Sequence, residues 1–347
     1  MGSLAKFSNW TYLRLNTDRL NAYAQDLAGR EIELPHWNNG GPLQFWPAKP
    51  QSLNEADALL EYYFIGNIIN FCFWGFQPDG SLKKNILTYP ANAPFPLDGA
   101  FAMWACWTRL KNRLESLGLA IDGHFLAQLS LDQAEVIFAG NPDSIRMPLL
   151  EQRLDLLKRT GDALVKNYDG RFINLVRAAR FAIFDRGHES GILTRLQQLP
   201  GYQGDLFAKR AQLAVAMAWE RLREYEAEFP VFVLDPGEFG SLSIFADYHL
   251  PRALILKGVL EFRSGDNPLR EAMWHKCLIV PGSDQELELR AATVIAASLA
   301  QWQANEIRAA QGLQAINAMH LDIDLFNVSR AMKKEDPHHH LTLTTDY

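Results

Sequence analysis

The stretch SLNEADALLEYYFIGNIINFCFW, residues 52–74, decides the fold, because it joins a helix start to a long apolar run. Ser52 and Glu55 have the spacing of a capping box, in which a hydroxyl and a carboxylate satisfy the free amide groups of a first helical turn. The same pattern recurs at Ser130 with Gln133 and at Ser283 with Glu286. Helical signals therefore dominate the chain.

Segments rich in Gly, Pro and Asp separate these helices and supply turns. Residues with a preference for strands cluster only briefly, in NILTY (85–89), PVFVLD (230–235) and LTLTT (341–345). We therefore predict a mainly α protein with a few short peripheral strands.

The domain organisation is predicted from the absence of an internal repeat or a clear linker. We expect one helical domain over residues 1–347, in which residues 1–50 are an N-terminal decoration and residues 327–347 are a tail packed on the core. Its 347 residues are enough to bury a real core.

The charge balance bears on the partner. A formal net charge of −6 argues against a protein that binds duplex DNA or RNA without regard to sequence, because such proteins present a broad basic face. We expect a small-molecule partner and no nucleic acid. A small phosphate pocket remains compatible with this charge.

The compartment is predicted from the cysteines and the apolar segments. The three cysteines are widely spaced, which is typical of reduced thiols in the cytoplasm and not of a disulfide framework or a zinc site. The chain has neither a signal-peptide pattern at its start nor about twenty uninterrupted apolar residues. We expect a cytoplasmic monomer without a membrane span.

A first candidate site is the end of the opening stretch. On a helix, four residues would share one face at the spacing i, i+3, i+4 and i+7, namely Asn67, Asn70, Phe71 and Trp74. Two carboxamides and two rings suit a flat heterocycle, since rings stack on it and amides bond its edge. The alternative is a core face with buried asparagines bonded to the backbone.

A second candidate is LPGYQGD (199–205), which leads into the run FAKRAQ (207–212). The pattern indicates a helix, a Gly-rich turn and a helix, whose free amides with Lys209 and Arg210 one turn in would receive a phosphate. It is similar to the hairpin of helix-hairpin-helix DNA glycosylases, although the second glycine is displaced by one position. The alternative is an ordinary corner with solvated basic residues.

A third candidate is SIFADYHLP (243–251). Asp247 stands between aromatic residues just before a helix start, where capping, desolvation and the helix dipole all act on its carboxylate. Such a group stabilises a cationic sugar or accepts a proton from water. The alternative is a structural N-cap.

Weaker candidates are given structural interpretations. Glu286, Glu288 and Arg290 alternate near a helix start, which is typical of a solvated first turn. The side chains of the consecutive histidines 338–340 diverge, which disfavours a three-histidine metal site. Motifs for dinucleotides, nucleoside triphosphates and serine hydrolases do not occur in the sequence. We expect no cofactor and no metal.

Seven runs, taken in order, resemble the queuosine salvage protein family of queuosine 5′-monophosphate N-glycosylases. They are NFCFW (70–74), DGAFAMWA (98–105), MPLLEQR (147–153), FAKRAQ (207–212), SIFADYHLP (243–251), ELELR (286–290) and LDIDLF (321–326). The resemblance implies a helical fold related to DNA glycosylases and hydrolysis of a free nucleotide to queuine and ribose 5-phosphate.

The resemblance also implies roles for residues. It makes Asp247 the catalytic carboxylate and Lys209 an associated active-site residue. Family members commonly carry Arg at the position of His249, an Arg-rich ending in place of HHHLTLT (338–344), and an acid at the position of Asn67. The residues that we expect to bind substrate are Asn67, Asn70, Phe71, Trp74, Phe245, Tyr248, His249 and Arg210.

The predicted function is release of queuine for salvage into tRNA modification by hydrolysis. Two alternatives remain at this point: a DNA glycosylase similar to the helix-hairpin-helix enzymes, suggested by LPGYQGD, and a non-catalytic queuine-binding or nucleoside-binding protein. A Schiff base at Lys209 is a further alternative mechanism, which requires a desolvated amine.

Overall fold

The computed structural model describes residues 10–32, 34, 46–77, 79–83, 97–142, 144–331, 333 and 336–347. Within these ranges the chain is mainly α, as predicted. The helices are α1 (Thr17–Ala28), α2 (Leu53–Ile68), α3 (Gly99–Glu115), α4 (Gly123–Gln128), α5 (Leu131–Ile137), α6 (Leu150–Tyr168), α7 (Phe172–Ala178), α8 (Ile192–Gln197), α9 (Lys209–Leu222), α10 (Pro236–Gly240), α11 (His249–Leu256), α12 (Pro268–His275), α13 (Asp284–Ala310) and α14 (Ala318–Arg330).

The strands are short and form two antiparallel pairs. β1 (Leu13–Leu15) pairs with β4 (Leu260–Phe262), and β2 (Gly75–Phe76) pairs with β3 (Leu82–Lys83). The strand predicted at residues 230–235 is absent, and residues 341–345 contribute only an isolated bridge between Leu341 and Leu278. The strand predicted at residues 85–89 lies outside the described residues.

The contacts divide the chain into two compact units. The first comprises Met1–Pro35, Gly240–Thr345 and Tyr347, and the second comprises His36–Phe239 and Asp346. The single continuous domain stays a prediction.

Helix α13 is the centre of the first unit. Alanines repeat every fourth residue along one face, at 292, 296, 300 and 304, and all of them are buried. Small side chains let α1 pack closely against this helix. The side of α1 that carries Leu20, Tyr23 and Leu27 belongs to the same core. The segment from Leu13 to Ala28 therefore contributes to this core, and the description of residues 1–50 as a separate N-terminal region stays a prediction.

Helix α2 is the centre of the second unit. Ser52 caps it by accepting a hydrogen bond from the amide of Glu55, as the sequence predicts. Its residues from Leu59 to Ile68 are all buried, and α3, α6, α7 and α9 pack around it. A helix that is buried on all sides fixes the position of the segment that follows it.

None of the described helices is long and apolar enough to cross a bilayer. The thiols of Cys72 and Cys106 are buried and that of Cys277 is exposed, and all three are free. Burial raises the pKa of the Cys72 thiol and raises that of Cys106 to about 11, so both remain protonated at neutral pH.

Candidate active site

Asp247 caps helix α11 from two residues before its start. Its Oδ1 accepts hydrogen bonds from the amide of His249 at 2.6 Å and from that of Leu250 at 3.3 Å. Within the described chain, Oδ2 of Asp247 accepts no hydrogen bond, and the residue is half-buried. One oxygen therefore fixes the carboxylate, and the other remains available for chemistry.

The surroundings of Asp247 are aromatic, as the sequence predicts. Phe245 and Tyr248 are both buried, and the ring of Tyr248 lies 4.6 Å from the rings of both His249 and His339. The segment that carries Asp247 is therefore anchored by buried rings on both sides of this residue in the sequence.

His249 is held on two sides. Its Nδ1 lies 3.0 Å from the hydroxyl oxygen of Ser329 on α14, and its ring meets that of Phe326 edge-on at 5.1 Å. The imidazole is half-buried. His249 is the first residue of α11 and lies two residues after Asp247, so it is a neighbour of the candidate catalytic group.

The histidine run 338–340 is buried beside this segment. Burial lowers the pKa of His339 well below its usual range and lowers that of His340 to about 3, so these imidazoles are neutral at neutral pH. Nε2 of His340 lies 2.9 Å from the hydroxyl of Tyr347. No group of three or more His, Cys, Asp or Glu side chains suited to a metal ion occurs among the described residues.

Glu286 and Arg290 are buried, which corrects their interpretation as a solvated first turn. Ser283 makes no side-chain cap, although α13 does begin after it. Glu286 instead accepts from Arg290 at 3.3 Å and from the amide of Gly282 at 3.0 Å. An acidic and a basic residue at the spacing i, i+4 occur on solvated and on buried helix faces alike. The sequence therefore did not reveal that this pair is buried.

The helical face predicted for Asn67, Asn70, Phe71 and Trp74 is wrong beyond Asn67, because α2 ends at Ile68. The chain then turns, and Cys72 takes a positive φ of 45°. The guanidinium of Arg153 on α6 donates to the backbone carbonyls of Ile69, Phe71 and Cys72. These bonds replace those that a continued helix would make, so residues 70–74 form an ordered, non-helical segment.

Asn67 and Asn70 nevertheless come together. The side-chain amide of Asn70 donates to Oδ1 of Asn67 at 3.0 Å, and that of Asn67 donates to the carbonyl of Tyr63 at 2.8 Å. Asn67 is 0 % exposed, whereas Asn70 is 6 % exposed. The structure therefore gives Asn67 the role of orienting Asn70.

The rings of Phe71 and Trp74 are each 1 % exposed. The guanidinium carbons of Arg153 and Arg210 lie 4.1 and 5.3 Å from the centroid of Phe71, and Trp74 meets Phe76 edge-on at 6.0 Å. Their burial does not favour the predicted stacking on a base. These rings support the segment that carries Asn70.

Lys209 and Arg210 are the first two residues of α9, not one turn in as predicted. The amides of Phe207 and Lys209 both donate to the carboxylate of Asp205, at 3.0 and 2.7 Å. The protein's own acid therefore takes the place that the sequence assigned to a phosphate.

The two basic side chains of this helix start differ in what they contact. Arg210 is buried and donates to the backbone carbonyls of Ile68, Gly201 and Asp346. Nζ of Lys209 lies 3.5 Å from the backbone carbonyl oxygen of Asn70. Arg210 thus has a structural role in this geometry, and Lys209 lies beside the asparagine pair.

The predicted residues form two groups. Phe245, Asp247, Tyr248 and His249 belong to the first unit; Asn67, Asn70, Phe71, Trp74, Lys209 and Arg210 belong to the second. A cavity of about 640 Å³ in the second unit is lined elsewhere, by Asn167, Tyr168, Asn174, Arg195 and their neighbours. Its lining contains none of the predicted residues, so we do not identify it with the candidate site.

Comparisons with a family model and with known proteins indicate the same family. The model of the queuosine salvage protein family matches residues 49–347. A queuosine 5′-phosphate N-glycosylase/hydrolase of Sphaerobacter thermophilus is 27 % identical over 338 residues, which cover 96 % of this chain and 92 % of that protein. The protein of the same name from Mus musculus is 26 % identical over 291 residues, or 80 % of this chain and 78 % of that protein. The chain belongs to the queuosine salvage protein family.

Proposed function

We propose that the chain hydrolyses the N-glycosidic bond of queuosine 5′-phosphate and releases the base queuine with ribose 5-phosphate. One observation carries this proposal beyond the name of the relatives: Asp247 is fixed through Oδ1 by two backbone amides, and its Oδ2 has no hydrogen bond within the described chain. A fixed carboxylate with one available oxygen is what this chemistry requires.

The role of Asp247 follows from the charge that the reaction develops. Breaking an N-glycosidic bond builds positive charge on the ribose through an oxocarbenium-like transition state. A carboxylate beside the sugar gains interaction energy as that charge grows, which lowers the barrier. The same oxygen also polarises the attacking water and receives its proton.

The leaving base needs help of another kind. Queuine is a 7-deazapurine, so it lacks the ring nitrogen that purine glycosidases often protonate. Hydrogen bonds to other edges of the base must therefore stabilise it. Asn70 is our choice for these contacts, because its side-chain amide carries two N–H donors and only one of them is used in the bond to Asn67.

Lys209 is proposed as an electrostatic partner of the nucleotide, with the phosphate as its target. We also keep His249, Phe245 and Tyr248 in the substrate-binding set. Hydrolysis by water ranks above a Schiff base at Lys209, because the fixed carboxylate of Asp247 is suited to activate a water molecule.

The DNA glycosylase alternative loses its support at LPGYQGD. The amides of Phe207 and Lys209, which would meet a backbone phosphate, are bonded to Asp205, and the net charge is −6. A small-molecule substrate, a monomeric state and a cytoplasmic location complete the proposal.

Incubation of the purified protein with queuosine 5′-phosphate tests the function. We expect free queuine by chromatography, and Asp247→Asn should lower kcat by about 10³-fold. Asp122, which caps α4 by accepting from the amide of Phe125 at 2.9 Å, provides the matched control, so Asp122→Asn should retain activity. If the wild-type protein binds queuine but does not release it from the nucleotide, the chain is the non-catalytic binding protein.

A further inference from the structure

Arg290 lies where the segment that carries Asp247 is anchored. Its side chain is buried, at 2 % exposure, and its Nε donates to the backbone carbonyl of Ala246 at 3.0 Å. Ala246 supplies the peptide group directly before Asp247. On the other side, the amides of His249 and Leu250 hold Oδ1 of the same acid. The backbone is therefore fixed both before and after Asp247.

Glu286 and Tyr347 both contact the guanidinium of Arg290. The carboxylate of Glu286, one turn earlier on α13, lies 3.3 Å from its Nη1. The ring of Tyr347 lies 4.2 Å from the guanidinium carbon, and the hydroxyl of Tyr347 lies 2.9 Å from Nε2 of His340. A planar guanidinium held by an acid and a ring has little freedom, so its bond to Ala246 has a defined direction.

We propose that Arg290 is a positioning residue for the hydrolytic reaction and that it acts through the peptide group between Ala246 and Asp247. The inference rests on the proposed function. Arg290 holds the backbone so that Oδ2 of Asp247 keeps one direction relative to the sugar. A misplacement of about 1 Å in such a group costs on the order of 100-fold in rate. The loss falls on kcat, because the carboxylate interacts most strongly with the transition state.

Two substitutions separate this role from a general effect on folding. Arg290→Met keeps an apolar stem and removes the donor, so kcat should fall by about 30-fold to 100-fold while KM changes by less than about 3-fold. Arg290→Lys keeps the charge and one donor group but loses the planar fork, so kcat should fall by only about 5-fold to 10-fold.

Arg308 provides the matched control on the same helix. It is also buried, and its Nε donates to the backbone carbonyl of Gln314 at 2.6 Å. It lies 18 residues beyond Arg290, or roughly 27 Å along the helix. Arg308→Met should lower the urea midpoint as Arg290→Met does, with kcat within about 2-fold of the wild type for the folded fraction.

The measurements are steady-state release of queuine, with urea unfolding of each variant. A wild-type kcat retained in folded Arg290→Met, or an equal loss of kcat in Arg308→Met, overturns the role of Arg290 and leaves the proposed function intact. If Arg290→Met does not fold, Arg290→Lys is the test, and a wild-type kcat in that variant overturns the role of Arg290. A wild-type protein without base release removes both the proposed function and this inference.

Discussion

The side-chain amide of Asn70 donates to Oδ1 of Asn67 across 3.0 Å, and this bond joins the last turn of α2 to the non-helical segment after it. Asn67 is 0 % exposed and Asn70 is 6 % exposed. We therefore propose separable roles for the two asparagines, with Asn67 acting in folding and Asn70 in binding.

Substitution of each asparagine should show this separation. Asn67→Ala leaves the amide of Asn70 without its acceptor and should cost about 1–3 kcal/mol of stability in urea unfolding. Asn70→Ala should raise KM or the Kd for queuine by roughly 10-fold, with a smaller effect on stability. Asn112→Ala, at an exposed position on α3, is the control. Equal effects of both substitutions on binding would contradict the separation.

Arg153 should be essential for the stability of the segment 70–74. Its guanidinium donates to the backbone carbonyls of Ile69, Phe71 and Cys72, so Arg153→Met should cost at least about 3 kcal/mol. Arg159→Met, which removes an exposed pair with Asp155 on the same helix, should cost less than about 1 kcal/mol. Urea unfolding of the two variants checks the difference, and similar midpoints would show that the carbonyls find other partners.

Glu61 should make stability fall as pH rises. Burial raises its pKa from 4.5 to about 7, against the lowering effect of the amides of Phe172 and Ile173 and of Arg171. The folded protein therefore holds a proton on Glu61 between about pH 4.5 and 7 that the unfolded chain has lost. This stabilising contribution is complete below pH 4.5 and is lost as pH rises towards 7.

Glu61→Gln should remove that part of the pH dependence. The check is the urea midpoint of wild type and variant at several values between pH 4.5 and 7, where the difference between the two should change steadily. A constant difference would show that Glu61 titrates at its ordinary value.

His340 should act in the opposite direction. Burial lowers its pKa from 6.5 to about 3, so the unfolded chain binds a proton in this interval that the folded protein does not. Stability from this group is therefore present above pH 6.5 and lost as pH falls towards 3. His340→Gln should weaken the fall of the urea midpoint as pH is lowered from 6.5 to 3. An unchanged pH dependence in the variant would mean that the imidazole is protonated within the folded protein.

The sequence predicted the helical class and several helix starts because those signals are local. Ser52 caps α2, and Ser130 forms a complete capping box with Gln133 at the start of α5. The end of α2 was not predictable in the same way. Arg153, some eighty residues later, supplies the partners that let the chain leave the helix after Ile68.

In the candidate site, too, local features were predictable and long-range contacts were not. The position of Asp247 before a helix and between aromatic residues was predictable from neighbouring letters. The burial of Arg290 and its bond to Ala246 were not, because they depend on how α13 packs against a segment about forty residues earlier. The acceptor for the amides of Phe207 and Lys209 was present in the sequence as Asp205, two residues before Phe207.

The pairing of β1 with β4 has a consequence for synthesis on the ribosome. The strand Leu13–Leu15 is translated some 245 residues before its partner Leu260–Phe262. The second unit, contained almost wholly in His36–Phe239, is able to fold while translation continues. The unit that holds Asp247 is completed only after residues His36–Phe239 have been translated, and its formation closes a very long loop.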